Sequence, residues 1–493
     1  MKHFSSIWCV CSLLLCLTGC AQRDVHAVQE NTLIYCITTE PDHLDPFLAL
    51  SADSRYIMFN VFEGLLKPAP DGSLVPGLAE SYNVNEDFTE YVFTLRDAVF
   101  HNGSPVTADD AVYSIEQAVA ARLNGMQAVQ SVSALDERTV RIVLSEPDSE
   151  FEYNLTTAIV PAGYDELNTK PVGTGPFQFE SFAPQQELVL KKNPAYWQPG
   201  VPHLDTIVFK IKADFKSALV DLQAGSANSG FFDTASALQI DPERFTVVYD
   251  NSNSVQMLAL NNAFGPLQDA RVRQALCYAV DCKEIIALAH NGHAVRAASP
   301  VIPGLVNMYN GSLDSLYAHD IERAKQLLAE AGYADGFPLT ITVPSSYQMH
   351  IDTAQIIVNQ LARIGVDARI QQIDWAAWLS DVYQGRNYEA TVVSVDGTTL
   401  SPRSYLSRYV SDDPANFINY RSEAYDRLFA QTLQTGDDAA RTQQYKELQR
   451  IIAQDAGSVF ICDLSVPKIY AKGIAGFVPY PLYVFDAAPL YFE

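Results

Sequence analysis

Residues Leu78 to Gln117, LAESYNVNEDFTEYVFTLRDAVFHNGSPVTADDAVYSIEQ, change hydrophobic period twice and constrain the fold more than any other stretch of this chain. Tyr91, Phe93 and Leu95 alternate with Val92, Thr94 and Arg96, the period of two expected of a half-buried strand. His101-Asn102-Gly103 then supplies a turn, since Asn and Gly tolerate the positive φ of tight reversals. At Thr107-Ala108-Asp109-Asp110 the hydroxyl can cap a helix, and the two acids fall in the first turn, where the helix dipole favours negative charge. Val112, Ile115 and Val119 recur behind them at helical spacing. The stretch predicts a strand, a turn and a capped helix, and names no chemistry by itself.

The 493 residues exceed the size at which one hydrophobic core stops growing, so two or three domains are expected. With 48% hydrophobic and 18% charged residues the chain is globular rather than disordered. Its 58 acidic and 33 basic side chains give a net charge of −25, which repels a phosphate backbone, and no basic patch with interleaved aromatics offsets it. Nucleic acid is therefore excluded as a partner.

Residues 1–20 read as a targeting segment. Lys2 gives a short positive start, Ile7 to Leu17 is an apolar run too short for a comfortable membrane span, and Leu17-Thr18-Gly19-Cys20 ends it. That ending resembles the lipobox of bacterial lipoproteins, which implies cleavage before Cys20 and lipid on its thiol; a plain signal peptide is the competing reading. Residues 21–31 read as a polar tether. Beyond the leader, Cys36, Cys277, Cys282 and Cys462 match no zinc spacing and are expected to be small buried hydrophobes, with a disulfide left open.

The mature part starts with a strand, Leu33 to Ile37, then a turn-rich Thr39-Glu40-Pro41-Asp42-His43-Leu44-Asp45-Pro46 with one imidazole and two prolines, poor material for a metal site. Ser54 to Leu66 reads as a helix ending Phe62-Glu63-Gly64-Leu65-Leu66. Val172-Gly173-Thr174-Gly175-Pro176-Phe177 is a glycine turn feeding a strand rather than a dinucleotide loop, because Pro176 follows at once and Gln178 occupies the third glycine position. Asp269 is a plausible N-cap for Ala270-Arg271-Val272-Arg273-Gln274-Ala275-Leu276. Ala324 to Phe337 is expected as a helix stopped by Gly332, and Ala354 to Ile364 as another closed by Gly365. Val366, Ala368 and Ile370 then alternate as a strand leading to Asp374-Trp375. Such helix–strand units imply α/β layers with some parallel pairing.

In this order, AESYNVNEDFTEYVFTLRDAVFHNGSPVTADDAVYS, GTGPFQFESF, Lys192-Asn193-Pro194-Ala195-Tyr196-Trp197, Leu204 to Phe209 and Asp269 to Ala275 resemble the motifs of the family 5 extracellular solute-binding proteins. These are the receptors of dipeptide, oligopeptide and nickel importers. The resemblance covers roughly residues 30–480. It implies an α/β, two-lobed periplasmic-binding-protein-like fold (type II, cluster C) with an extra inserted α/β domain. Residues 30–63, 173–275 and 470–493 would form lobe I, residues 64–172 the inserted domain, and residues 276–469 lobe II. The implied role is capture of a peptide or peptide-like solute by a monomer that is held to the membrane through lipid on Cys20 and delivers to an ABC permease and ATPase complex. No cofactor and no metal are implied.

The ligand question turns on Val395-Asp396-Gly397-Thr398-Thr399-Leu400-Ser401-Pro402-Arg403. Peptide binders of the family carry an aspartate four residues before this proline; here that position is Thr398, and Asp396 lies two residues earlier. The loop that carries a carboxylate-binding arginine in the dipeptide binders corresponds to Val343–Met349, which has Tyr347 and no arginine. Glu40, Arg55, Tyr347, Asp396, Thr398, Thr399 and Arg403 are therefore the candidate ligand-binding residues, with solvated loop charges as the competing reading of Asp396 and Arg403. The chain lacks His-Glu-x-x-His, Gly-x-Ser-x-Gly and a phosphate-cradling lysine loop, so no catalytic residue is named. His290-Asn291-Gly292-His293 is read as a turn. A secreted, lipid-anchored hydrolase acting on peptides or glycans is the alternative function, because the abundant Asp and Glu permit a glycosidase-like carboxylate pair.

Overall fold

The computed structural model describes residues 31–49, 51–123, 125–397 and 399–493. The leader, Cys20, most of the tether and Thr398 lie outside the described residues.

A large mixed sheet runs through the molecule. Thr32–Ile37 lies parallel to Thr206–Ile211 on one side and to Ser229–Phe231 on the other. Glu187–Lys192 and Phe177–Ala183 extend that end in antiparallel fashion. At the other end Pro338–Pro344 is parallel to both Asp367–Ile373 and Ala390–Asp396. Two long antiparallel strands, Phe245–Leu260 and Ser458–Ala471, join the ends. The lower part of the second pairs with Ser229–Phe231, and the upper part of the first pairs with Ala390–Asp396. Their register breaks between Asn251 and Val255, where Asn253 takes a φ of +60°, so the ladder is interrupted between the two ends of the sheet.

A separate four-stranded antiparallel sheet, in the order Ala79–Val84, Glu90–Leu95, Thr139–Leu144, Val129–Ala134, carries the helix Ala108–Ala120 on one face. Alternation forms it as expected: Tyr91, Phe93 and Leu95 are fully buried. Thr107 caps the helix in a reciprocal box with Asp110, the Asp110 carboxylate accepting from the Thr107 backbone N–H at 2.8 Å. These strands share one hydrophobic cluster with Leu33, Tyr35, Phe209 and Phe485. A second cluster gathers Leu258, Leu276, Ile341, Ile357 and Ile461, and a third gathers Val255, Val393, Tyr409 and Tyr445. The helix Ala270–Ala279 contributes Val272, Ala275, Leu276, Cys277 and Ala279 to the second cluster.

The helix expected over Ser54 to Leu66 is shorter, Ala52–Met58, and Leu66–Pro68 is a strand. Just past the helix end the Asn60 side-chain amide donates to the Ile57 carbonyl at 3.1 Å and to the Phe485 carbonyl at 2.8 Å, and further on Gly64 runs against another backbone segment, where a Cβ would lie 2.5 Å from the Leu155 carbonyl oxygen. The helix preceding Gly332 is Ile321–Glu330, and Gly332 takes a φ of +88° past its end. The helix expected from Ala354 begins earlier, at Gln348. Cys36, Cys277, Cys282 and Cys462 are free and buried, and burial pushes the Cys36 and Cys277 thiols up to about 12.

Candidate functional site

A cavity of about 760 Å³ opens where the helix Ala52–Met58, the short helix Phe151–Thr156 and the end of the strand Ala390–Asp396 come together. That volume suits a solute of a few residues rather than a single ion. Asn253 and Ser254, at the break in the long strands, line it as well.

Its first wall is built by the helix that Ser51 caps, with the Ser51 hydroxyl accepting from the Asp53 backbone N–H at 3.1 Å. This sets Asp53, Arg55 and Met58 along the cavity. The Asp53 carboxylate accepts from the Tyr483 hydroxyl at 2.7 Å. Glu63 follows, a buried carboxylate that accepts from the Tyr196 hydroxyl at 2.8 Å, the Trp197 indole at 2.8 Å and the Thr174 hydroxyl at 3.2 Å. Lys67 stands 3.7 Å from it. The Phe-Glu-Gly, Gly-Thr-Gly-Pro and Tyr-Trp stretches of the sequence thus meet at one side chain. Gly173 and Gly175 permit the meeting, because a Cβ on either would lie 2.1 Å or 2.5 Å from the carbonyl oxygens of Val61 or Asn60. His101 holds the same turn: its Nε2 donates to the Gly175 carbonyl at 3.0 Å, and its Nδ1 accepts from the Gly173 N–H at 3.3 Å.

The second wall is Tyr153, Asn154, Thr156, Thr157 and Ala158, and the third is Ser394, Asp396, Gly397 and Thr399. Asp396 ends its strand opposite Ser254 and is exposed. Of the residues singled out in the sequence, Arg55, Asp396 and Thr399 line this cavity. Glu40 instead accepts from the Gln185 N–H at 2.8 Å. Tyr347 lies 40% exposed against Trp375, ring centroids 5.3 Å apart, apart from the cavity lining. Arg403 is committed to Asp148 at 2.6 Å. Asp53, Glu63 and Asp486 line the cavity without having been singled out as ligand residues; Glu63 carried a signal in its motif, Asp486 carried none.

Among the described residues no group of three His, Cys, Asp or Glu side chains is placed to hold a metal ion. His290 and His350 are tied into a buried network instead. His290 Nε2 donates to the Gln256 amide oxygen at 2.9 Å, and the Gln256 amide nitrogen donates to His350 Nδ1 at 2.9 Å. The turn after His290 is as expected, with positive φ at Asn291 and Gly292. Among the described residues no helix is long and apolar enough to cross a membrane.

The sequence profile of the bacterial extracellular solute-binding proteins, family 5, matches residues 73–417. The glutathione-binding protein GsiB of Shigella flexneri is 27% identical over 468 residues, covering 88% of this chain and 89% of that protein. The structure of HbpA2 from Haemophilus parasuis superposes with a TM-score of 0.85 at 26% identity, over 94% of this chain and 100% of the other. The periplasmic binding protein DppA from Helicobacter pylori, in complex with the peptide STSA, gives 0.75 at 25% identity over 94% and 98%. The fold is the two-lobed, type II periplasmic-binding-protein-like one, and the chain belongs to the family 5 bacterial extracellular solute-binding proteins.

Proposed function

We propose that this protein is the solute receptor of an ABC importer, that it binds a peptide or peptide-like solute in the cavity between two lobes, and that it presents the closed form to a membrane permease and its ATPase. The observation that carries this reading is the 760 Å³ cavity lined by segments far apart in the chain, in a member of a solute-binding family. Glutathione and the peptide STSA, named for two relatives, are both peptides, which supports that ligand class. The long strands Phe245–Leu260 and Ser458–Ala471, with their break at Asn251 to Val255, are the hinge of this reading. The lobes and inserted domain follow the division drawn from the sequence, moved so that the helix Ala270–Ala279 goes with the second lobe. Arg55, Asp396 and Thr399 contact the solute, joined by Asp53. Lipid on Cys20 holds the mature monomer at the outer face of the cytoplasmic membrane.

The reading is tested by releasing whatever co-purifies with the protein and identifying it by mass spectrometry, then returning it to solute-free protein in a melting assay. A bound solute at a hundredfold excess over Kd stabilises by about 2.7 kcal/mol. Turnover of peptides or glycans by the purified protein, with no solute retained, would instead favour the hydrolase.

A further inference from the structure

Two cavity walls are joined outside the cavity by a buried set of charges. Glu150 precedes the short helix Phe151–Thr156, and its carboxylate Oε2 accepts from the Ser401 hydroxyl at 2.6 Å and from the Tyr445 hydroxyl. Its Oε1 lies 3.3 Å from the Arg441 guanidinium, both side chains being under a tenth exposed. Asp148 pairs with Arg403 at 2.6 Å. Between them the Ser149 N–H donates to the Leu433 carbonyl at 3.2 Å. Nearby, the Phe88 ring sits so close to Gly436 that a Cβ there would lie 1.9 Å from it.

The acids and the bases come from different parts of the fold. Asp148 and Glu150 follow the strand Thr139–Leu144 of the four-stranded sheet, whereas Ser401, Arg403, Arg441 and Tyr445 belong to the region packed around the third cluster. Each side leads directly into a cavity wall: Tyr153, Asn154 and Thr156 on one, Asp396, Gly397 and Thr399 on the other. Ser401 is also bonded back into its own loop, its hydroxyl accepting from the Arg403 N–H at 3.0 Å.

We propose that Glu150, with Asp148, is a positioning residue that sets the spacing of these two cavity walls, so that solute capture depends on a charged joint that no solute touches. Burial without pairing would be costly for either carboxylate, so each partner holds the other in place. The joint lies close to both walls: Ser401 is two residues from Thr399, and Glu150 three from Tyr153. Displacing the loop at Ser401 therefore displaces Thr399 and Asp396 with it. The proposal rests on the solute-receptor reading for its consequence, but its geometry is testable without any solute.

Hydrogen exchange of the mature protein, measured solute-free, decides it. In Glu150→Gln, and more strongly in Glu150→Ala, amides of residues 151–158 and 396–406 should open together, faster by about tenfold or more, as expected for loss of a hydrogen bond to a charged group. Exchange within the strands Pro338–Pro344 and Thr206–Ile211 should stay unchanged. Arg403→Asp should open the same two segments, and Asp148→Arg with Arg403→Asp should restore protection, a rescue that mere loss of packing would not give. Change confined to residues 148–152, or no rescue by the charge swap, overturns the joint, as does equal loosening of the whole chain in Glu150→Gln. Failure of these results leaves the receptor reading standing, while failure to retain any solute leaves the joint standing.

Discussion

The Lys468 ammonium lies 2.7 Å from the Asp250 carboxylate, and both side chains are under a tenth exposed. The two residues sit on the paired long strands, Asp250 one position from the register break. The same ammonium faces the rings of Phe477 and Tyr56 at 4.9 and 5.4 Å. Burial lowers the Lys468 pKa while Asp250 opposes that. Truncating one partner strands the other charge, so Lys468→Ala should cost about 3–5 kcal/mol, whereas Lys468→Met with Asp250→Leu should cost far less. Denaturant unfolding of both variants checks this; a Lys468→Ala loss below about 1 kcal/mol, the range of an exposed pair, would contradict it.

Glu63 is the acceptor for three side-chain donors from two separate stretches. Glu63→Ala leaves the Tyr196 and Trp197 donors without their acceptor, at about 1–3 kcal/mol for each buried group, so a loss of several kcal/mol is expected. Glu63→Gln retains an acceptor oxygen and should fall between the variant and the parent. The check is thermal unfolding; equal stability of all three proteins would mean that the node is not held by this carboxylate.

Stability should fall with acid well above the range of ordinary carboxylates. Burial pushes His101, His290 and His350 each down to about 4. All three act as neutral rings: the Nδ1 atoms of His101 and His350 accept hydrogen bonds, which a protonated ring cannot do. The unfolded chain binds protons at these rings below about 6.5, the folded chain only near 4, so folding is favoured above 6.5 and loses stability as pH falls between those values. Melting temperatures from pH 8 to pH 4 should decline through that window, and His350→Gln should flatten part of the decline. A level profile down to pH 4.5 would show that the rings protonate without penalty.

Glu152 runs the other way. Burial, with Glu150 and Asp148 adding to it, pushes its pKa up to about 7. A carboxyl raised in the folded state favours folding below its unfolded value near 4.3, and that contribution disappears as pH rises through 7. Glu152→Gln should therefore gain most over the parent at pH 8 and little at pH 4. A constant difference across this range would exclude titration of Glu152 as its cause.

Local signals carried the reading of the fold further than that of the site. The Thr107 box, the alternation in Tyr91, Phe93 and Leu95, and the stop at Gly332 all depend on neighbours within a few residues, so they were legible. The helix over Ser54 to Leu66 was overextended because the chain past Met58 answers to distant segments, Asn60 to Phe485 and Gly64 to Leu155, contacts absent from local pattern. Arg403 was singled out as a ligand residue, yet its partner Asp148 lies 255 positions away, and Ser401 and Tyr445 reach Glu150 across 251 and 295. No periodicity encodes such pairings. The acids Asp53 and Asp486 reach one cavity only after segments 430 positions apart have packed together, Asp53 accepting from the Tyr483 hydroxyl and Asp486 from the Tyr480 hydroxyl.

The lipid proposed on Cys20 makes a separate prediction about location. In that proposal anchoring depends on one thiol, at the end of the Leu17-Thr18-Gly19-Cys20 stretch. A single acyl chain binds a membrane only marginally, whereas the several chains of a lipoprotein hold firmly. Cys20→Ala should thus shift the protein from the membrane fraction to the soluble extracytoplasmic fraction. Unchanged partitioning of that variant, followed by immunoblotting, would point to another anchor.

Among the described residues four acids line the cavity, Asp53, Glu63, Asp396 and Asp486. Asp53 and Asp486 are already engaged by the hydroxyls of Tyr483 and Tyr480, and Glu63 has its own donors, which leaves Asp396 as the exposed acid at the end of its strand. A free amino group entering the cavity loses water and needs an anion, since an unpaired desolvated ammonium is costly. Asp396 can supply one, whereas the loop position four residues before Pro402 is a threonine and cannot. Recognition should therefore rest mainly on aromatic faces, hydroxyls and backbone groups, with Asp396 adding a charge-assisted bond of about 1.5–3 kcal/mol, roughly tenfold or more in affinity. Calorimetry with the peptide recovered from the protein and its N-acetylated twin, on the parent and on Asp396→Asn, measures this directly. Acetylation should weaken binding to the parent by that factor and have little effect on Asp396→Asn. Strong binding of the free amine that acetylation abolishes, but that Asp396→Asn leaves intact, would place recognition of the amine on another acid of the cavity, with Asp53 the first to examine.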